Sequence, residues 1–169
     1  IHFLGTCDEE KGGIGAREIL KEVPETSIGT LLIGEPTGCR LGVAQKGCLW
    51  LEIEAHGKTS HGAYPQEGCN AVEQAMALTG EIETYVKSFT HPVLGASTAQ
   101  VTQISGGVAP NMTPDTCRIL MDIRMTPGLT SQMVVGQAEA FAAARSVTSE
   151  EKFRVSCRIV NDRRAIEIG

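Results

Sequence analysis

Leu49-Trp50-Leu51-Glu52-Ile53-Glu54-Ala55 puts Leu49, Leu51, Ile53 and Ala55 on one side of an extended chain and Trp50, Glu52 and Glu54 on the other. Side chains alternate across a strand, so this stretch reads as a strand with one buried and one wet face. Two later segments repeat the pattern. Cys117, Ile119, Met121 and Ile123 alternate with Arg118, Leu120, Asp122 and Arg124, and Phe153, Val155, Cys157 and Ile159 alternate with Arg154, Ser156 and Arg158. Ala99 to Ile104 is a weaker fourth strand.

Helical signals fall between these strands. Asn70 with Glu73 makes a start resembling a capping box, after which Val72, Ala75, Met76, Ile82 and Val86 fall largely on one helical face. Thr130 opens a second helix through Met133, Val134, Ala138, Phe141 and Ala142. The order strand, helix, strand, strand, helix, strand predicts a ferredoxin-like βαββαβ sandwich, a four-stranded antiparallel sheet with two helices on one face.

The first forty residues differ. Ile1 to Leu4 is apolar, Gly12, Gly13 and Gly15 break the chain, Ala16 to Val23 has helical composition with Pro24 near its end, and Thr30 to Ile33 is a short apolar run. This predicts one β-α-β unit with two parallel strands whose C-terminal ends open on the same sheet edge. The expected class is an α/β segment at 1–40, part of a parallel catalytic domain, then an α+β domain at 41–163, with 164–169 as a return segment. The chain starts without Met and with a strand already under way, which predicts a piece of a longer polypeptide.

Composition narrows the function. Fifteen Lys and Arg against 20 Asp and Glu give a formal charge of -5, which argues against a nucleic-acid groove, and the apolar runs are too short to span a bilayer. The expected partners therefore exclude nucleic acid and membrane. Six cysteines without a Cys-x-x-Cys pair predict reduced, mostly buried thiols in a cytoplasmic protein rather than a disulfide framework. Asp8, Glu9 and Glu10 follow the first apolar run, and Glu35 closes the second, at the edge where open α/β sheets bind ligands. Carboxylates gathered there repel one another unless protonated or bound to a cation.

Four stretches carry a resemblance. They are Thr6-Cys7-Asp8-Glu9-Glu10-Lys11-Gly12-Gly13, Gly34-Glu35-Pro36-Thr37, Gly57-Lys58-Thr59-Ser60-His61-Gly62-Ala63-Tyr64-Pro65 with Gly68 and Asn70-Ala71, and the run from Asn111 to Arg124. In this order they resemble the co-catalytic zinc hydrolases that include acetylornithine deacetylase, succinyl-diaminopimelate desuccinylase, aminoacylase and glutamate carboxypeptidase. The resemblance implies that the second domain is a lid and homodimerisation domain. It implies Glu9 as the general base, Glu10 and Glu35 as metal ligands, and two Zn2+ ions per complete site, with Co2+ or Mn2+ as substitutes. It implies that His61 reaches the partner subunit's active site and donates to the oxyanion. Arg124 would grip a substrate carboxylate, with Asn111 as its amide companion. Gly42-Val43-Ala44-Gln45-Lys46-Gly47 and Leu49-Trp50-Leu51 lean toward the deacetylase and desuccinylase branch.

The family's site also takes a histidine and a bridging aspartate from upstream and a histidine from downstream. The chain is therefore expected to hold an incomplete ligand set and to be inactive alone, its parent cleaving the amide bond of an N-acyl amino acid or small peptide. Two other classes compete: a non-catalytic homodimerisation module, and a carboxylate-binding domain built on Arg124.

Overall fold

The computed structural model describes residues 2–23, 28–148 and 152–168. Ile1 and Pro24, both used in the sequence reading, lie outside them. The chain divides into two compact units, Ile1–Leu41 and Gly42–Gly169.

The first unit contains a 3-10 turn at Glu9–Lys11 and a nine-residue helix α1 at Ile14–Glu22. The turn is tight: Asp8 takes a left-handed conformation, and a Cβ on Gly15 would sit 2.5 Å from the Cys7 backbone nitrogen. The predicted parallel strands are a correction, because neither His2–Leu4 nor Thr30–Ile33 joins a ladder among the described residues. Composition marks a segment that suits a strand, but a ladder needs neighbours and a face to bury. Here α1 buries no residue, and Leu32 in the second run is 86% exposed.

The second unit carries short β1 at Ala44–Gln45, then β2 at Gly47–His56, α2 at Ala71–Lys87, a β3–β4 hairpin at Thr90–His91 and Gly95–Ala96, and β5 at Thr98–Gly106. β6 at Thr116–Met125, α3 at Ser131–Thr148, β7 at Arg154–Arg163 and β8 at Ile166–Glu167 complete it. The main sheet has the order β5-β6-β2-β7 with every pair antiparallel, which is the expected βαββαβ arrangement. Helix α2 packs on β5, β6 and β2, and α3 on β7.

The alternation read from the sequence decides the layers. Leu49, Leu51, Ile53 and Ala55 are fully buried with Ile119, Met121 and Ile123 of β6, and Leu78, Ile82 and Val86 of α2 and Val134 and Ala138 of α3 cover them. Asn70 caps α2, its Oδ1 accepting from the backbone N–H groups of Val72 and Glu73 at 3.0 and 3.3 Å. Thr130 caps α3 through Oγ1, which accepts from Met133 N–H at 3.3 Å.

Two small ribbons were not expected from sequence. β1 pairs with β8, so the segment entering this unit and the return segment lie side by side. The β3–β4 hairpin turns at His91-Pro92-Val93-Leu94-Gly95, and His91 ties it down. Its side chain is only 10% exposed. Nδ1 accepts from Val93 and Leu94 N–H, each at 3.2 Å, and Nε2 lies 3.1 Å from Glu167 Oε1 on β8. A ring nitrogen that accepts two backbone N–H groups carries no proton, so Nε2 is the donor to Glu167.

The six cysteines are thiols: Cys48, Cys69 and Cys117 are buried, Cys157 half-buried, and Cys7 and Cys39 exposed. Burial pushes the Cys157 thiol up to about 11, helped by the negative charge of Glu139, and also raises that of Cys117. Neither is a thiolate near neutral pH.

Candidate functional site

The predicted site residues fall into three places. Glu9 and Glu10 sit in the 3-10 turn that leads into α1, and Glu35 lies in an exposed segment where Thr37 N–H donates to its carbonyl at 2.8 Å. Among the described residues, no group of three or more His, Cys, Asp or Glu side chains is arranged to hold a metal ion.

His61 and Asn111 come together at one end of the main sheet. The loop between β2 and α2 is closed on itself by reciprocal Lys58–Cys69 backbone bonds of 3.0 and 2.8 Å, and Gly57 N–H donates to Asp115 carbonyl at 2.7 Å. Gly57 fits because it has no side chain, since a Cβ there would stand 2.1 Å from the Cys69 carbonyl oxygen. Thr113 N–H donates to Ser60 carbonyl at 2.9 Å, Gly62 N–H to Asn111 carbonyl at 2.8 Å, and the Ser60 and Thr113 hydroxyls bond at 2.8 Å. His61 is thus held in an isolated bridge with Met112 while its ring stays exposed. Its Nδ1 accepts from Ala63 N–H at 3.1 Å, which leaves the proton on Nε2. The loop therefore presents one N–H donor on a stiff base, with the Tyr64 ring 6.2 Å away.

Arg124 lies at the other end of β6. It pairs with Cys48 of β2 and Thr98 of β5, whereas Thr116, at the end next to Asn111, pairs with His56. Eight strand residues at about 3.4 Å each put roughly 27 Å between these ends. The Arg124 and Asn111 pairing expected from sequence is therefore not made within one chain: Asn111 stands with His61 instead.

Arg124 is engaged on its own face of the sheet. Its Nε donates to Asp122 Oδ1 at 2.7 Å and its Nη2 to Asp122 Oδ2 at 2.9 Å. The hydrogen bonds to Asp122 push the guanidinium pKa further up, while partial burial pulls it down. Trp50, directly across from Asp122 in the β2–β6 register, donates its indole N–H to Asp122 Oδ2 at 3.1 Å. The rest of this wet face carries cross-strand ion pairs, Arg158 with Glu52 at 2.9 Å and Arg118 with Glu54 at 3.6 Å. The part played by Trp50 and Ser60 escaped the sequence reading. The alternation already put Trp50 and Asp122 on wet faces, but only the register makes them partners.

Residues 43–150 match the family described as the peptidase dimerisation domain. The chain belongs to that family. This dimerisation domain is 33% identical over 135 residues to a probable carboxypeptidase of Aspergillus clavatus, with 76% of the chain and 32% of the relative covered. It is 31% identical over 173 residues to an acetylornithine deacetylase of Myxococcus xanthus, with 95% of the chain and 43% of the relative covered. The chain thus spans about a third to two-fifths of the length of these curated relatives. Among solved structures, a putative aminohydrolase from methicillin-resistant Staphylococcus aureus superposes with a TM-score of 0.60 at 18% identity. That match covers 76% of the dimerisation-domain chain and 33% of the other, and it shows the shared fold. No helix among the described residues is long and apolar enough to cross a membrane.

Proposed function

We propose that the chain is the association domain, with an adjoining piece of catalytic domain, of a metal-dependent hydrolase that cleaves the amide bond of an N-acyl amino acid or small carboxylate-bearing peptide. The observation that carries this is that the match to an acetylornithine deacetylase covers 95% of the chain, too much to be confined to the second unit. The reading favours a deacetylase or desuccinylase specificity, zinc as the metal, and a cytoplasmic setting. In a polypeptide of the relatives' length, Glu9 would move the proton and Glu10 and Glu35 would supply two of the ligands. His61 Nε2–H would donate to the oxyanion, and Arg124 would hold the substrate carboxylate. Purified polypeptide of that length should hydrolyse N-acetyl amino acids and contain a divalent metal. Glu9→Ala should lower kcat by at least about a hundred-fold, as expected for a lost general base, and the 169-residue chain should show no turnover. Absence of bound metal together with an inert Glu9→Ala change would leave the rival reading, a non-catalytic homodimerisation or carboxylate-binding module.

The homodimer of this reading forms along β5. Of the two edge strands, β7 carries Arg154, Arg158, Asp162 and Arg163 beside exposed Ile159 and Val160, whereas β5 contains no charged residue and leaves Val101 and Ile104 exposed. Charges on an edge discourage pairing with another chain, and an uncharged, partly apolar edge invites it. Val101→Lys combined with Ile104→Lys should convert a dimer to a monomer in sedimentation equilibrium with an unchanged far-UV spectrum. A monomeric parent, or a variant that stays dimeric, would rule β5 out.

A further inference from the structure

We propose that Asp122 and Trp50 are positioning residues that aim the Arg124 guanidinium, so that it receives a substrate carboxylate through one defined edge. The inference rests on the reading of Arg124 as the carboxylate-gripping residue and goes beyond it. An arginine on an exposed strand face samples many rotamers, and Arg124 is 49% exposed. A guanidinium has two edges able to make paired hydrogen bonds, one through Nε and Nη2 and one through Nη1 and Nη2. Asp122 occupies the first of them with both oxygens. The second edge is the one that a planar carboxylate can approach, and the guanidinium plane can no longer turn.

Asp122 is itself held. Its side chain is 15% exposed, and Oδ2 accepts from both Arg124 Nη2 and the Trp50 indole N–H. An indole N–H only donates, so it steadies the carboxylate without competing for the arginine's donors. Trp50 lies on the central strand β2, directly opposite Asp122, so the ladder fixes the distance between them. The β2–β7 register shifts next to Trp50, between Trp50 and Leu51, while the β2–β6 register is continuous through the Trp50–Asp122 pair. The arrangement has an electrostatic cost, because Asp122 partly neutralises Arg124. Binding to such a pair depends on geometry more than on field, and this separates positioning from charge tuning.

The test uses the polypeptide of the relatives' length and an N-acetyl amino acid as substrate. Asp122→Asn should raise KM about three- to ten-fold, the cost of freezing a free arginine side chain on binding, with kcat nearly unchanged. Trp50→Phe should act in the same direction and less. In the 169-residue chain, which has a single tryptophan, the indole 15N–1H signal reports this contact alone and should move in Asp122→Asn while the rest of the spectrum stays folded. If Arg124→Ala leaves KM unchanged, the carboxylate reading fails and the positioning role falls with it. If Arg124→Ala raises KM but Asp122→Asn leaves it equal or lowers it, Asp122 only neutralises charge, and the positioning role is overturned while the reading of Arg124 stands.

Discussion

On the proposed function, alanine at His61 in a polypeptide of the relatives' length should lower kcat by about a hundred- to a thousand-fold, the usual loss on removing one oxyanion donor, with metal content unchanged. The reasoning is geometric. The ring is exposed and fixed through Nδ1, which places an Nε2–H donor on the loop surface. His61 and Arg124 stand at opposite ends of β6, so one subunit does not bring both to a single small substrate. Under the proposed function the expected arrangement is a shared site, with His61 and Asn111 from one protomer and Arg124 from the other. Mixing His61→Ala and Arg124→Ala subunits after dissociation should therefore restore about a quarter of the wild-type activity, because random pairing gives half heterodimers with one intact site of two. Activity that stays at the level of the separate variants would sink the shared site.

Ile53→Ala should destabilise the second unit by about 2–5 kcal/mol, the range for emptying a well-packed core position, read from denaturant unfolding. Ile53 is fully buried on central strand β2, flanked by Ile119 on β6 and Cys157 on β7 and covered by the helices. Its neighbours belong to a paired ladder on both sides, so the backbone has little freedom to collapse into the void. Gln100→Ala, on the exposed edge strand β5, should change stability by less than about 0.5 kcal/mol. Equal losses at the two positions would contradict the assignment of the core.

The second unit was legible because its signals are local and repeated. Leu49 to Ala55 and Cys117 to Arg124 declare their inner faces by alternation, and Asn70 and Thr130 mark the helix starts with side chains that satisfy free N–H groups. The first unit misled for a related reason. Thr30 to Ile33 has the composition of a buried parallel strand, yet burial depends on neighbours that composition does not name, and the run stays unpaired and exposed. For the candidate site the sequence offers residue types and not their arrangement. His61, Asn111 and Arg124 were picked out by motif, but the partnership of Asn111 depended on how a turn folds back on the loop after β2.

By itself, then, the sequence determined which faces of which segments are apolar, where the helices begin and which side chains can carry chemistry, since periodicity and capping act over a few residues. Only the tertiary structure decided the pairings between distant segments: Trp50 with Asp122, His61 with Asn111, His91 with Glu167, and Arg124 at the far end of the sheet from all that surrounds His61. Strand order and register are collective outcomes of one packed core. The β2–β6 register joins residues some seventy positions apart, and no local pattern encodes that match.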